Sequence, residues 1–270
     1  MSASTNIMAV WNGGTSFTRN TNCIMTKNYN GYDTSGISLS INGFGGIGAT
    51  LISNRHVLLA NHTSVNFSLP TTVYFVNNSN ITFTYTITSV SRIGTSFGTG
   101  YTDISIGYLN TIVDSSLIYY KVFPSNFLDY LKKGASYPSF QYLNPYVAAF
   151  YMDQEKKFLC GDIDGLNLTD TTSPKLSLVF SQNTERYNNS ELAIGGDSGN
   201  IIFLPVNNEI VLLGSWYTGS PGSKSIGNQI GVSSYICPNI SSINSAMTSL
   251  AGTSYSLTEI NLSNYSNSFA

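Results

Sequence analysis

Charged residues are scarce in this sequence. Its 270 residues include 12 Lys and Arg against 14 Asp and Glu, which gives a formal net charge of −2. A protein that binds nucleic acid by neutralising phosphates needs clustered Lys and Arg. The basic pairs here, Lys132-Lys133 and Lys156-Lys157, are too small to line a groove. The composition therefore predicts no nucleic-acid partner.

Cysteine and histidine are rare as well. Cys23, Cys160 and Cys237 form no CxxC pair, and this odd, sparse set makes a poor disulfide framework. Two histidines are too few for a His-rich metal site, so we predict no metal and no cofactor. No segment approaches the ~18 apolar residues of a membrane helix, and the N-terminus lacks the features of a signal peptide. We therefore expect no membrane partner and a location in a reducing compartment.

Asparagine and tyrosine are abundant instead, with 29 and 18 residues. Short apolar runs, many of them alternating with polar residues, recur along the chain and end at turn-forming residues, which is the pattern of β-strands. This pattern predicts an all-β fold, and both sandwich and double-barrel architectures fit it. The predicted strands cover residues 37–41, 48–59, 71–76, 81–90, 104–109, 147–152, 157–161, 176–180, 201–204, 210–217 and 229–235.

Two helices interrupt the predicted strands. A short connector helix is expected over residues 126–133, with Ser125 as its N-cap and Gly134 as its stop. A terminal helix is expected to begin at Pro238 and to stop at Gly252. Its apolar face is formed at helical spacing by Ile240, Ile243, Met247 and Leu250. The polar residues after Gly252 are expected to form a loosely docked tail.

The glycine-rich segment 195–199, Gly-Gly-Asp-Ser-Gly, is the first candidate for chemistry. A serine flanked by glycines can sit on a tight, exposed turn, and Gly196 allows nearby backbone N–H groups to face a developing oxyanion. Gly-Asp-Ser-Gly is also ordinary hairpin-turn chemistry. From this segment alone, Ser198 is therefore either a nucleophile or a turn residue.

A nucleophilic serine needs a general base, and the chain offers only His56 and His62. His62 follows an apolar strand and should be accessible, whereas His56 lies within that strand and is expected to be a strand-surface residue. An acidic group should orient the imidazole. Asp103, which opens the predicted strand 104–109, is the favoured candidate, and Asp114 is its rival.

Taken in order, these segments resemble chymotrypsin-like (trypsin-fold) serine proteases. The stretch from Gly48 to His62 is similar to the family's Gly-Gly-Ser-Leu-Ile…Val-Leu-Thr-Ala-Ala-His. Residues 103–109 are similar to its Asp-Ile-Ala-Leu-Leu, and residues 196–199 match its nucleophile motif. The order His, Asp, Ser along the chain is also the family's order. The resemblance covers roughly residues 35–250.

The resemblance implies two six-stranded antiparallel β-barrels with the active site in the cleft between them, and a polypeptide substrate. It implies that Ser198 attacks the peptide carbonyl, that His62 transfers the proton and that Asp103 holds the tautomer of His62. Backbone N–H groups of Gly196 and Ser198 would bind the oxyanion. The implied domains are an N-terminal extension (1–34), a first barrel (35–122), a connector (123–136), a second barrel (137–237), the terminal helix (238–252) and a polar tail (253–270).

The resemblance also implies substrate-binding positions. Leu192 would lie at the base of the primary pocket, which favours an apolar or uncharged P1 residue, although a shift of one position would put Glu191 there. The strand that lines the pocket would contribute Tyr217, Thr218 and Gly219.

Three departures separate the chain from secreted members of this family. Thr63 replaces the cysteine after the catalytic histidine, and Asn200 replaces the second glycine after the nucleophile. The family's Arg/Lys-Ile-Val-Gly-Gly cleavage site is also missing, so Asp197 needs a partner other than a newly freed N-terminus. These departures resemble intracellular, bacterial or viral members. We therefore expect a non-secreted protein, in the cytoplasm of a cell or host cell or in a virion.

The sequence thus predicts a serine endopeptidase. The alternative is a catalytically inactive protein on the same fold, with a structural or binding role and a virion or self-assembly partner. A plain β-sandwich adhesin is a third reading, in which the order of the motifs is a coincidence.

Overall fold

The computed structural model describes residues 5–10, 17–24, 31–41, 44–64, 68–93, 102–127, 148–167 and 175–264. These residues are mostly β-structure. The strands are β1 (Met8–Val10), β2 (Thr18–Arg19), β3 (Ser40–Ile41), β4 (Phe44–Gly45), β5 (Ala49–Leu51), β6 (His56–Leu59), β7 (Thr71–Val76), β8 (Thr82–Ile93), β9 (Ile104–Leu109), β10 (Lys121–Val122), β11 (Ala148–Met152), β12 (Phe158–Asn167), β13 (Lys175–Val179), β14 (Ile201–Val206), β15 (Glu209–Gly219) and β16 (Gln229–Tyr235). The helices are α1 (Asn61–Ser64), α2 (Thr184–Asn188) and α3 (Ile240–Ala251), and a 3-10 helix (Cys237–Asn239) precedes α3.

Six antiparallel strands of the second half close into a barrel. Their order is β15-β14-β11-β12-β13-β16, and β16 pairs back with β15. Strand β10 lies parallel to β15, outside this ring. The barrel interior is filled by apolar side chains that include Tyr151 and Trp216. Each of these six strands pairs with both of its neighbours in the ring, so the ring itself has no free edge strand among the described residues.

The first half forms a seven-stranded sheet in the order β4-β3-β7-β8-β9-β6-β5. The sheet curls, and a bridge between Ile37 and Thr50 ties the segment before β3 to β5. The predicted all-β class with two barrel-like units is confirmed, but the first unit is a half-barrel rather than a closed ring. The reason is local: β3 and β4 have two residues each, too few for a continuous ladder.

The terminal helix is confirmed. Pro238 lies in the 3-10 turn before α3, where its missing N–H costs no hydrogen bond. Ile240, Ile243 and Met247 are buried in a core that α3 shares with strands of both units. Gly252 ends the helix in the left-handed conformation at φ +67°, with its N–H donating to Thr248 O. The predicted connector helix lies outside the described residues beyond Phe127.

The segment after α3 is more firmly packed than expected. Leu257, Ile260 and Leu262 are buried. The N–H of Val122 in β10 donates to Thr258 O (3.0 Å), and the N–H of Ile260 donates back to Val122 O (2.9 Å). The expectation of a loosely docked tail is therefore wrong as far as Leu262, because three apolar residues in a polar segment suffice to anchor it.

The N-terminal extension contacts both units. The N–H of Ile7 donates to Lys156 O in the turn between β11 and β12 (3.1 Å). The Arg19 guanidinium donates to the carbonyls of Val76 and Asn77 after β7 and to the hydroxyl of Thr34. The extension thereby holds the half-barrel and the closed barrel in one arrangement.

His56 is not the strand-surface residue that the sequence predicts. It is 0% exposed. Its Nε2–H donates to Met247 O in α3 (3.1 Å), and its Nδ1 accepts from the Ser53 hydroxyl (2.8 Å). Burial, together with the nearby Arg55 guanidinium, lowers the pKa of His56 to about 4, against an opposing hydrogen bond to Met247 O. His56 is therefore a neutral residue that ties the terminal helix to β6.

We predict that His56 makes the fold sensitive to acid. In the unfolded chain His56 takes up a proton near its ordinary pKa of 6.5, whereas in the folded chain it does so only near 4. Its contribution is present above pH 6.5 and is lost as the pH falls toward 4, by about 2–3 kcal/mol. The measurement is the free energy of unfolding in urea between pH 7.5 and 4.5, for wild type and His56→Gln.

The two carboxylates Asp153 and Asp197, whose pKa values are raised by burial, act in the opposite direction over part of this range. They are present in both proteins, so the difference between the two pH profiles isolates His56. Parallel profiles would contradict the prediction.

Candidate active site

The residues around His62 form a helical turn directly after β6. The N–H of Ser64 donates to Ala60 O (3.1 Å), and the Thr63 hydroxyl donates to the same carbonyl (2.9 Å). The imidazole is partly exposed, with 23% of the side chain accessible. Thr63, which replaces the family's cysteine, thus stabilises this turn by a hydrogen bond.

Asp103 lies beside His62 because their strands pair. Strand β9 begins at Ile104 and is antiparallel to β6, with Leu59 opposite Ser105. The Asp103 carboxylate accepts from the backbone N–H of His62 at Oδ1 (2.7 Å) and from the ring Nδ1–H at Oδ2 (2.7 Å). Only 1% of the Asp103 side chain is exposed. The two hydrogen bonds fix the imidazole in the tautomer that leaves Nε2 as an acceptor.

Ser198 completes this chain of hydrogen bonds from the other unit. Its hydroxyl lies 2.8 Å from His62 Nε2. The Ser198 carbonyl accepts from Gly48 N–H (3.0 Å), and the N–H of Gly199 donates to Trp216 O (3.1 Å). The structure therefore brings together His62, Asp103 and Ser198, which the sequence singled out.

We call residues 194–200 the nucleophile loop, after the candidate nucleophile Ser198, and two of its backbone N–H groups are available. Gly196 has φ +106°, a conformation that favours glycine. Within the part of the chain that the structure describes, the N–H groups of Gly196 and Ser198 donate to no protein acceptor. Both residues are partly exposed, so these N–H groups can bind a solvent or ligand oxygen.

Asp197, between these two residues, is 2% exposed. Its carboxylate accepts from Gln154 N–H at Oδ1 (2.7 Å) and from Ile194 N–H at Oδ2 (2.7 Å). Burial raises the pKa of Asp197, while these two hydrogen bonds and the charge of Lys156 oppose that shift. Asp197 therefore has partners within the fold, as expected for a chain that lacks the cleavage site of the secreted members.

Of the predicted substrate-binding residues, Tyr217 lies closest to the histidine. Its ring meets the His62 ring edge-on, with 6.2 Å between centroids, and Lys175 Nζ lies 5.0 Å from its centroid. Thr218 is exposed. A Cβ on Gly219 would lie 2.0 Å from Ala193 O, so β15 and the chain before the nucleophile loop approach closely there.

Leu192 and Glu191 occupy different environments. The Leu192 side chain is half-buried and packs against the core of the closed barrel. The Glu191 carboxylate pairs with Lys157 Nζ (2.9 Å), and its side chain is 49% exposed. The backbone of Glu191 is held by the Tyr151 hydroxyl, which accepts from its N–H and donates to its carbonyl.

Asp114, the rival acidic candidate, belongs to an exposed turn. Its Oδ1 accepts from the N–H and the hydroxyl of Ser116. Sequence reasoning also missed two residues of the site: Gln154, which holds Asp197, and Ser234, whose hydroxyl accepts from Asp103 N–H (3.2 Å). Neither residue lies in a recognisable motif, because each binds a residue that is distant from it in the sequence.

No protein-family model matches the chain, and no curated protein matches it. Cys23, Cys160 and Cys237 are buried, and none of them forms a disulfide within the part of the chain that the structure describes. Among the described residues, no helix has the length and apolar character needed to span a membrane.

We predict that Gly196→Ala destabilises the protein and that Gly195→Ala does not. Gly196 has a positive φ, and a Cβ there would lie 2.1 Å from Gln154 Oε1. The strain should cost about 1–2 kcal/mol. Gly195 is the matched control, since a Cβ on it would meet nothing within 4 Å. Urea unfolding of both variants measures the difference, and equal stabilities would contradict the strained-turn interpretation.

Proposed function

We propose that this protein is a serine endopeptidase of the chymotrypsin-like type. One observation carries the proposal: an unbroken chain of hydrogen bonds runs from the Asp103 carboxylate through His62 to the Ser198 hydroxyl, with heavy-atom distances of 2.7 and 2.8 Å. These distances lie within the range for proton transfer between a nucleophile and its base. The closed barrel and the curled half-barrel, which meet at this site, are compatible with that fold.

In the proposed reaction, Ser198 Oγ attacks the carbonyl carbon of a peptide bond while His62 Nε2 takes the hydroxyl proton. Collapse of the tetrahedral intermediate breaks the C–N bond, and His62 returns that proton to the leaving amine. A water molecule then attacks the acyl-enzyme by the same route and releases the carboxylic acid and Ser198. Asp103 keeps Nδ1 protonated and stabilises the imidazolium that forms in each half-reaction.

The negative charge on the tetrahedral oxygen would be stabilised by the N–H groups of Gly196 and Ser198. Both groups donate to no protein acceptor among the described residues, and the positive φ of Gly196 supports this role. Donors fixed before the reaction need no reorganisation when the charge develops, which makes this contribution large. The hydrogen bonds of Asp197 support the same loop from behind.

For the P1 side chain we propose an apolar or uncharged residue. The carboxylate of Glu191, the residue next to the predicted pocket base, is paired with Lys157 and half exposed. Leu192 adds only apolar surface. A substrate Lys or Arg would therefore find no free acidic partner at either position.

We predict that a fluorophosphonate probe labels the wild-type protein at Ser198. The Ser198 oxygen displaces fluoride from phosphorus, which adds one phosphonyl group that intact-mass measurement detects. Ser198→Ala removes the nucleophile and His62→Ala removes its base, so labelling should disappear in both variants. A folded wild type that does not label would contradict the proposal and favour a binding or structural protein on this fold.

A second prediction separates the two acidic candidates. Asp103→Asn should slow labelling by about 10⁴-fold, since the amide favours the wrong tautomer of His62. Asp114→Asn should label at the wild-type rate, because Asp114 serves only its own turn. Pseudo-first-order labelling rates measure both variants. Equal rates for Asp103→Asn and wild type would exclude Asp103 from the mechanism.

A further inference from the structure

Lys156 is a fully buried lysine beside the nucleophile loop. It is 0% exposed, whereas lysine is almost never fully buried unless it is paired. Its Nζ donates to Gly46 O (3.1 Å) and to Asn200 Oδ1 (2.6 Å). Both acceptors are uncharged, so its ammonium is solvated by the fold rather than matched in a direct ion pair.

The hydrogen bonds of Lys156 connect three separate segments. Lys156 lies in the turn between β11 and β12, Gly46 precedes β5, and Asn200 ends the nucleophile loop. The Asn200 side-chain amide donates to Gly46 O (2.8 Å) and to Asp197 O (3.1 Å). One uncharged side chain therefore links the Lys156 ammonium to the backbone beside Ser198.

The same turn also holds the Asp197 carboxylate. Lys156 N–H donates to Asp153 O (3.1 Å), and within that turn Gln154 N–H donates to Asp197 Oδ1. Lys156 adopts φ +59°, which is costly for a long side chain. A strained backbone and a buried charge at one residue point to a role other than stability.

The charges that face Lys156 are the carboxylates of Asp153 and Asp197. Burial lowers the pKa of Lys156 to about 7, and these two carboxylates oppose that shift. The charge of Glu191 raises the pKa of both carboxylates, and Glu191 itself is paired with Lys157 at the surface. Lys156 is thus the fully buried cation beside these two carboxylates, and the partly exposed Lys157 lies 3.7 Å from Asp153.

We propose that Lys156 is a positioning residue for the nucleophile loop: its ammonium balances Asp197 and, through Asn200, fixes the turn that carries Ser198. In secreted members of the family that the sequence resembles, a freed N-terminus pairs with the corresponding aspartate. Here a lysine side chain from the turn between β11 and β12 supplies the positive charge. The effect on catalysis rests on the proposed function, whereas the effect on the loop does not.

The first test compares Lys156→Met with Lys157→Met. Methionine keeps the length of the side chain and removes its charge. Below pH 7, where Lys156 carries its proton, we expect Lys156→Met to slow fluorophosphonate labelling by about 100-fold, the loss associated with a displaced reacting group. Lys157, partly exposed and paired with Glu155, Glu191 and, at 3.7 Å, Asp153, is the control at the neighbouring position, and its variant should label like wild type.

The pH profile of labelling distinguishes a positioning charge from mere packing. Raising the pH through about 7 removes the proton from Lys156, so the wild-type rate should fall on the alkaline side. Lys156→Arg stays charged throughout, and its rate should not show this fall. Coincident alkaline limbs in wild type and Lys156→Arg would overturn the role of the charge.

A readout independent of activity is hydrogen exchange in the nucleophile loop. The N–H groups of Asp197, Gly199 and Asn200 each donate to a backbone carbonyl and should be protected. Lys156→Met should accelerate their exchange, and Lys157→Met should not. If Lys156→Met does not fold, Asn200→Ala cuts the same connection from the loop side and should give both effects.

The outcomes are separable. Wild type that labels, with Lys156→Met equal to it in rate and exchange, overturns the positioning role and leaves the proposed function intact. Wild type that does not label, with a loop loosened by Lys156→Met, refutes the proposed function and supports the positioning role.

Discussion

The arrangement of the candidate site depends on the close approach of two backbones, at Gly48 in the half-barrel and at Ser198 and Gly199 beside the closed barrel. The Gly48 N–H donates to Ser198 O at 3.0 Å. A Cβ on Gly48 would lie 2.4 Å from the Gly199 backbone, and a Cβ on Gly199 would lie 2.5 Å from Gly48 O. Because His62 and Asp103 belong to one unit and Ser198 to the other, any side chain at this contact would separate the Ser198 hydroxyl from the His62 imidazole.

Several of the few charged residues of the chain are buried at this site. Only 10% of the residues are charged, yet Asp103, Asp153, Lys156 and Asp197 are all buried around the site. A buried charge is costly unless hydrogen bonds replace its water. Each of these four side chains accepts or donates at least one such bond. The hydrogen bonds that stabilise these buried charges therefore also fix the positions of the groups to which the charges bind.

Local sequence patterns predicted much of the fold. The bounds of β7, β9 and β16 are those expected, because alternation and turn residues act within a strand and need no tertiary information. The half-barrel was not predicted, since closure depends on whether β3 and β5 meet along their length. His56 was misplaced for the same reason: its burial is set by α3, which lies far away in the sequence.

In the candidate site, too, the residues in local motifs were predicted and those that depend on distant contacts were not. His62, Asp103 and Ser198 lie in segments with recognisable local motifs, and the structure brings them within hydrogen-bond distance. The groups that support them, Gln154 and Lys156, could not be found. Gln154 binds the Asp197 carboxylate through its backbone N–H, and Lys156 binds a backbone carbonyl and an asparagine, so all of these partners are distant in the sequence. A sequence pattern identifies a reactive group more readily than the groups that orient it.

The nucleophile loop needs that support because its conformation must keep two N–H groups turned away from the protein. The N–H groups of Gly196 and Ser198, which bind no acceptor in the described ranges, are tolerated because both residues reach solvent. Under the proposed function a substrate oxygen would replace that water. In a flexible loop these N–H groups would instead rotate toward protein carbonyls and donate to them, so that they could no longer bind a substrate oxygen. The Asp197 carboxylate opposes this rotation by binding the N–H groups of Ile194 and Gln154 on the other side. Gln154 lies in the same turn as Lys156. The turn that places the buried cation therefore also keeps the two N–H groups available.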